Sequence, residues 1–509
     1  MSKKDYSHRS DDSGKPEKQR ALVLQGGGAV GAYEAGVIKV LCRRLTEKDA
    51  KEKGKDNSRP LFDIVAGTSI GAMNAAILVS NIVNRGKIWT EAAEELERFW
   101  REGVALKEGA TSGHDIVPIG LFRIFPWWKP WTKDVPRWAL CAKQTTLQDE
   151  GKIDTSDLAS EEAARRYYST KEFVFQGKKV FSIKDFRPDK KFLDKSELST
   201  WIVLNDIPLR EQIELFGGFP IATRFDKRQP RLLVTAVDIA EGIPVTFDSY
   251  KKLGGKRKTV YYPRTKYGRR KQEEQNNNNN DKDDSKPIVI EYEDGITLEH
   301  VMASGTLPEF YDPKEIGGRM FWDGGLLSNT PLRELIESHR EYWVNVENKD
   351  EAPDLDVYIV NAHPSTISIE DIPKHYDEVK DRRDDIIYGD RTYNDEYTAS
   401  LSTYYRGFIK SLKEISIDYI KENNDKTAFQ NKFESLKAEL AECLSYAVGE
   451  HRKYENLIRG NFELTKVERI ERKYNPKTST SFKGGDITPQ TIEKLIEEGE
   501  GDAEFASIS

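Results

Sequence analysis

Two segments near the N-terminus show the same change of hydrophobic period. Ala21, Leu22, Val23 and Leu24 form a compact apolar run that three glycines break, after which Val37, Val40, Leu41 and Leu45 recur at three- and four-residue steps. The stretch RPLFDIVAGTSIGAMNAAILVSNIV repeats this grammar, with Ile64 and Val65 in the strand, a glycine turn and an Ala-rich helix. Two successive strand–turn–helix units predict βαβ construction around a mostly parallel sheet. Further on, RLLVTAVDIAEGIPVTFDSY carries two β-branched runs about a glycine turn, the pattern of a hairpin, and DVYIVNAHPS reads as another buried strand. The remainder is mainly helical. Leu401, Tyr404, Phe408, Leu412, Ile415 and Tyr419 share one helix face, and Phe433, Leu436, Leu440, Cys443 and Ala447 another. Thr488 is placed to cap a last helix, with Pro489 at its first position and QTIEKLIEEG running to Gly499.

Between these elements the pattern fades. Residues 1–19 are polar and read as a disordered lead, and residues 264–287, with five consecutive asparagines among charges, as a flexible loop. Residues 88–230 are rich in charge and aromatics without a clear period, and are expected to form an insertion or lid. The expected organisation is a catalytic unit over 20–365 and a helical C-terminal region over 366–509.

Length and charge narrow the classes. A chain of 509 residues is too long for one ordinary core, so two domains or one with large insertions are expected. With 32% charged residues and a mean hydropathy of -0.69, its surface is extensive and well solvated. A net charge of -7 without a large basic block argues against duplex nucleic acid as a partner. Cys42, Cys141 and Cys443 are scattered, which points to a reducing compartment and away from a structural metal site. The first residues lack the apolar core of a secretory signal, and no apolar run is long enough to span a bilayer. The expected location is cytoplasmic, with any membrane contact peripheral.

Candidate chemistry lies in the turns. Ser69 stands between Gly67 and Gly71 where a strand gives way to a helix. A serine hydroxyl must be exposed and set beside a base before it can attack an ester, and a sharp strand-to-helix turn exposes it while crowding the positions two before and two after. The following helix aims N–H groups at a forming oxyanion. The stretch GGGAVG, residues 26–31, matches a dinucleotide fingerprint, but the carboxylate that should close the next strand is absent, since that strand runs into Thr68 and Ser69. The competing reading is an oxyanion loop, in which bare backbone amides approach a substrate carbonyl. In FWDGGLLSNTPL, Asp323 sits between an aromatic strand end and two glycines, where partial desolvation would make it a base; Asp-Gly is also a common turn pair.

Taken in order, these three features resemble the patatin-like phospholipase family. GGGAVG is similar to its oxyanion loop, Gly67 to Gly71 to its nucleophile elbow, and Asp323-Gly324-Gly325 to its Asp-Gly-Gly/Ala motif; ASGTLPEFYDP, NTPL, TAVDIAEGIPVTFD and TPQTIEKLIEEGEGDA resemble further segments. The resemblance implies a three-layer α/β/α sandwich and a serine lipid acyl hydrolase that cleaves fatty-acyl esters through an acyl-enzyme. Ser69 is then the nucleophile and Asp323 the base of a dyad. The oxyanion loop holds Gly26, Gly27, Gly28 and Gly31, with the amides around Gly27 and Gly28, helped by that of Ile70, binding the oxyanion. No cofactor or metal is implied. Many members carry a basic residue between the third and fourth glycines, where this chain has Val30.

Three other readings stay open. One is a catalytically weak lipid-binding scaffold of the same fold, and another is nucleotide binding at Gly26 to Gly31. The third is a Ser-His-Asp esterase using His363, which follows Ser69 and Asp323 in the order common to α/β-hydrolases. His339, in the charged IESHR, is expected at the surface, and Tyr33 and Glu34 in structural or surface roles. IGLFRIFPWWKPWTKDVPRW, which begins at Ile119 and ends at Trp138, packs four tryptophans among basic residues and prolines. It suits either a lid over the site or a peripheral membrane contact.

Overall fold

The computed structural model describes residues 15–52, 59–105, 172–175, 178–188, 200–204, 206–263, 287–308, 310–423, 431, 435, 460–474, 484 and 487–507. The lead before residue 15, the aromatic stretch at 119–138, the loop at 264–286, Cys141, Cys443 and the helix face at 433–447 lie outside them.

Strand β1 (Lys18–Leu24) is flanked by β2 (Ile64–Thr68) and β12 (Asp354–Asn361), both parallel to it. Successive side chains of β1 enter different cores: Ala21 and Val23 pack with Ile64, Ala66, Val357 and Ile359 on one face, Leu22 and Leu24 with Val65, Tyr358 and Val360 on the other. A strand buried on both faces has no polar alternation, which is why ALVL reads as a continuous apolar run. Beyond β2 lies β6 (Arg231–Asp238), parallel to it, and β7 (Ile243–Asp248) returns antiparallel as the expected hairpin. Short strands β10 (Lys314–Ile316) and β11 (Arg319–Asp323) complete this edge and β13 (Leu464–Glu471) the other, giving the order β10-β11-β6-β2-β1-β12-β13 with β7 against β6.

Helices cover both faces. On one lie α1 (Gly31–Glu52), α2 (Ile70–Val83), α3 (Trp89–Arg98), α4 (Ile207–Phe216), α5 (Leu298–Ser304) and α9 (Pro489–Glu504). The other is covered by α6 (Leu332–Glu341) and the π-helical turn Tyr342–Val346, which buries Trp343. The mostly parallel sheet between helical layers is the α/β/α sandwich expected. Off this sheet stand an antiparallel trio, β3 (Glu172–Phe175), β4 (Lys178–Pro188) and β5 (Thr200–Leu204), and a pair, β8 (Lys258–Tyr261) with β9 (Ile288–Glu291).

Two boundaries differ from the expectation. The insertion does not begin at residue 88: α3 and the π-helical turn Phe99–Val104 bury Ala92, Ala93, Leu96, Phe99 and Trp100 in the main core, and α4 adds Ile213 and Phe216. Nor does the sheet stop at residue 365. Strand β13 (Leu464–Glu471) pairs in parallel with β12, and α9 packs along α1. Thr488 caps α9 by accepting from the Thr491 amide, with Pro489 in the first turn, and the helix continues past Gly499 to Glu504. Helices α7 (Tyr376–Tyr388) and α8 (Tyr393–Asn423) lie between β12 and β13 in sequence. On α8, Leu401, Tyr404, Phe408 and Leu412 face outward. Among the described residues, no helix is long and apolar enough to cross a membrane.

Candidate active site

Register on one strand brings the two key side chains together. β2 pairs with the first part of β6, ending at Thr68 opposite Thr235, whereas β11 runs antiparallel to the last part, ending at Asp323 opposite Ala236. The two strands therefore finish head to head on neighbouring residues of β6. From these ends Ser69 Oγ donates to Asp323 Oδ2 at 2.7 Å, across an interval of 254 residues.

Ser69 caps the start of α2 with φ 55° and ψ -124°, a conformation that side chains rarely adopt. The turn is tight enough that a Cβ on Gly67 would overlap the Gly71 carbonyl, and one on Gly71 would reach the Leu24 carbonyl oxygen. Glycine at both flanks is thus a steric requirement, as the elbow pattern implies. The hydroxyl stands at the half-buried head of the turn, while the Ser69 N–H is held by Ser304 Oγ at 2.9 Å. Ser304 in turn donates to the Thr235 carbonyl. Two residues on, the Thr306 carbonyl accepts from the Asp323 N–H at 2.8 Å, so one short segment at the end of α5 anchors the backbones of both Ser69 and Asp323.

Asp323 is almost wholly buried and accepts two hydrogen bonds, from Ser69 Oγ and from the Gly325 N–H, the latter at 2.7 Å. Desolvation outweighs both and pushes its carboxyl up to about 6, from 3.8. A carboxylate with that affinity for protons, in direct contact with a hydroxyl, can take the hydroxyl proton near neutral pH.

The glycine loop closes the third side. The Gly26 N–H is engaged, donating to the Asn329 carbonyl at 3.0 Å, and the Gly31 N–H turns back onto Gly28 and Ala29. Of the four loop glycines, Gly27 is half-buried and Gly28 is exposed, with φ +60°. Val30 is buried and packs beneath Gly27. Asn329 clamps this loop to the base loop: besides its carbonyl bond to Gly26, its amide donates to the carbonyl oxygens of Gly26, at 3.0 Å, and Tyr388, at 2.6 Å. Its Oδ1 lies where side chains on Gly26 or Gly325 would stand, and Gly324 is pressed against the Thr235 carbonyl. Thr68 Oγ1 adds a bond to the Ser328 carbonyl at 2.8 Å.

Behind the loop, Glu34 is fully buried, and Asn74 Nδ2 donates to it at 2.8 Å. Desolvation lifts this carboxyl well above the usual range, and Asn74 also accepts from the Trp100 indole. Tyr33 is buried too, its hydroxyl donating to Asp502 on α9. His339, expected at the surface, is instead buried: it lies on the inner side of α6, with Nε2 2.8 Å from the Pro353 carbonyl. His363 is buried behind the glycine loop, its Nδ1 3.0 Å from Asp385 and its N–H bonded to Gln25 Oε1. The Ser69 hydroxyl is served by Asp323, while the His363 imidazole is turned to Asp385. Ser304 and Asn329 both fall in segments that the sequence singles out, yet the task of neither is visible there.

Residues 22–336 match a family model described as patatin-like phospholipase. VipD from Legionella pneumophila is a solved structure with 12% identity and a TM-score of 0.27, in an alignment covering 96% of this chain and 69% of that one. No curated protein matches the chain.

Proposed function

The chain belongs to the patatin-like phospholipase family, and from that premise we propose that it is a serine lipid acyl hydrolase working through a Ser69–Asp323 dyad. Family membership supports lipid acyl hydrolysis in general. The observation that carries the finer reading is the 2.7 Å hydrogen bond from Ser69 Oγ to the desolvated carboxylate of Asp323.

In this mechanism Asp323 accepts the Ser69 proton as Oγ attacks the carbonyl carbon of a fatty-acyl ester. Negative charge gathers on the carbonyl oxygen, and the amides around Gly27 and Gly28, with that of Ile70 at the start of α2, stabilise it. Collapse expels the alcohol, which takes the proton from Asp323 and leaves Ser69 acylated. Water, deprotonated by Asp323, then attacks the acyl carbon, releasing the fatty acid and restoring the serine. Each proton passes through one carboxyl group, which must be ionised at the start; a carboxyl titrating near 6 meets that condition at neutral pH.

The test is labelling with a fluorophosphonate, followed by peptide mapping and turnover of a short chromogenic acyl ester. The label should fall on Ser69, with Ser69→Ala both unlabelled and inactive, and His363→Ala should keep turnover within about tenfold of wild type. A loss on the order of a thousandfold in His363→Ala would replace the dyad with the triad reading. Absence of ester turnover in wild type would favour the lipid-binding scaffold.

A further inference from the structure

Helix α7 is built inside out. Its inward face carries carboxylates: Asp381 and Asp385 are buried, the latter 1% exposed and paired with His363. Arg382 donates to the carbonyl oxygens of Pro364 and Ser365, and the terminal carbonyl of Tyr388 accepts from both Gln25 and Asn329. The helix is therefore bolted to the protein by polar groups. Its outward face presents Val379, Ile386 and Ile387, 51%, 58% and 48% exposed, around the exposed Arg383. With Pro373 and the stems of Arg382 and Arg383 they line a shallow groove. An ordinary surface helix is arranged the other way round, and a contiguous apolar patch exposed to water marks a surface that something covers.

What covers it is indicated by where it lies. Ile386 and Ile387 immediately precede Tyr388, whose carbonyl is bonded to Asn329. On the other side of that bond, Leu326 and Leu327 immediately follow the Asp323-Gly324-Gly325 turn and are exposed as well. The two apolar groups flank one hydrogen bond of the proposed catalytic loops, so the patch adjoins the loops that hold Ser69 and Asp323. We infer that the outward face of α7, with Leu326 and Leu327, is the surface by which this protein sits on a lipid layer, delivering acyl chains to the dyad. This rests on the proposed reading of that site. The contact is apolar rather than electrostatic: with Asp381 and Asp385 buried, α7 is left with three acidic and three basic residues, and the whole chain is at -7. Zwitterionic lipid therefore suffices, and salt does not release the protein.

The experiment uses full-length Ser69→Ala protein, so that binding is measured without hydrolysis, in flotation with phosphatidylcholine vesicles at low and high salt. Ser69→Ala should float with the vesicles at both salt levels. Adding Ile386→Asp and Ile387→Asp should cut the bound fraction by about tenfold or more, because charge replaces apolar area that the lipid would bury. Val379→Asp, one helical stretch away, should weaken it in the same direction. With Ser69 intact, the Ile386→Asp/Ile387→Asp protein should hydrolyse a soluble short-chain ester like wild type, which also shows that it is folded. Equal flotation of both proteins would overturn the inference, as would binding that needs anionic lipid and vanishes in salt. A dimer that the two substitutions convert to a monomer would overturn it too, assigning the face to a second copy. Loss of ester turnover in wild type with vesicle binding retained would defeat the catalytic reading alone.

Discussion

In the proposed mechanism, Asp323 links catalysis to stability in a way that one isosteric substitution exposes. Its carboxyl binds protons up to about pH 6 in the folded protein, against an ordinary value of 3.8. A folded value above the unfolded one means that the native state holds the proton more tightly between the two. The associated stability is fully present below the unfolded value and is lost as pH rises through about 6. At about 1.36 kcal/mol per pH unit, the ionised carboxylate lowers native stability by up to about 3 kcal/mol at neutral pH. A carboxamide in its place would be neutral at every pH, with an oxygen for the Gly325 N–H and an amide for Ser69 Oγ. Asp323→Asn should therefore lose turnover by roughly a thousandfold while melting about 2–4 °C above wild type near pH 8. Towards pH 4 the two melting curves should converge, because the wild-type carboxyl is then neutral as well. The activity of wild type should climb through about pH 6 as the same group ionises. Thermal melts across this range decide the matter. If the variant is less stable at every pH, or its advantage is the same at both ends, Asp323 is not desolvated in the native state and the pH argument fails.

Two further substitutions probe the frame around the dyad. Ser69→Gly removes the side chain from a conformation that only glycine adopts freely, so it should abolish turnover and raise stability by about 1–3 kcal/mol; a drop in denaturation midpoint would show that the turn is unstrained. Asn329→Ala deletes the donors that tie Gly26 to Tyr388 and should lower kcat by about tenfold or more with KM little changed, the mark of a loop misplaced at the transition state. Unchanged kcat in steady-state kinetics would deny Asn329 that role.

The parts that were legible in sequence are those whose chemistry forces a residue type locally. Gly67 and Gly71 announce the tight turn at Ser69 because no side chain fits beside the Gly71 and Leu24 carbonyl groups, and the turn after Asp323 is marked by its two glycines. The hidden parts depend on partners far along the chain. LTKVERIE sets single apolar residues three apart among polar and charged ones and lies half-buried at one end of the sheet order, so β13 has neither an apolar run nor a two-residue period to reveal it. Trp100 reads like one more aromatic of a stretch without a clear period until Asn74 accepts its N–H. Glu34 looks like a surface charge on α1 because burial of a carboxyl leaves no trace in the spacing of its neighbours. That the Gly26 N–H is already occupied by Asn329 is a matter of backbone geometry and is invisible in GGGAVG.

The pairing of α1 with α9 has a consequence for the order of synthesis. Gly36 lies against the backbone of Ile496, and Gly499 against that of Tyr33, while the Gly484 carbonyl presses on Gly28. The helix that follows the glycine loop thus emerges from the ribosome hundreds of codons ahead of the one that beds it. Until those late codons are read, a nascent chain carries its serine on an unfinished frame. A protease cut ahead of α9 should therefore loosen α1 and the glycine loop, and lower any ester turnover with them.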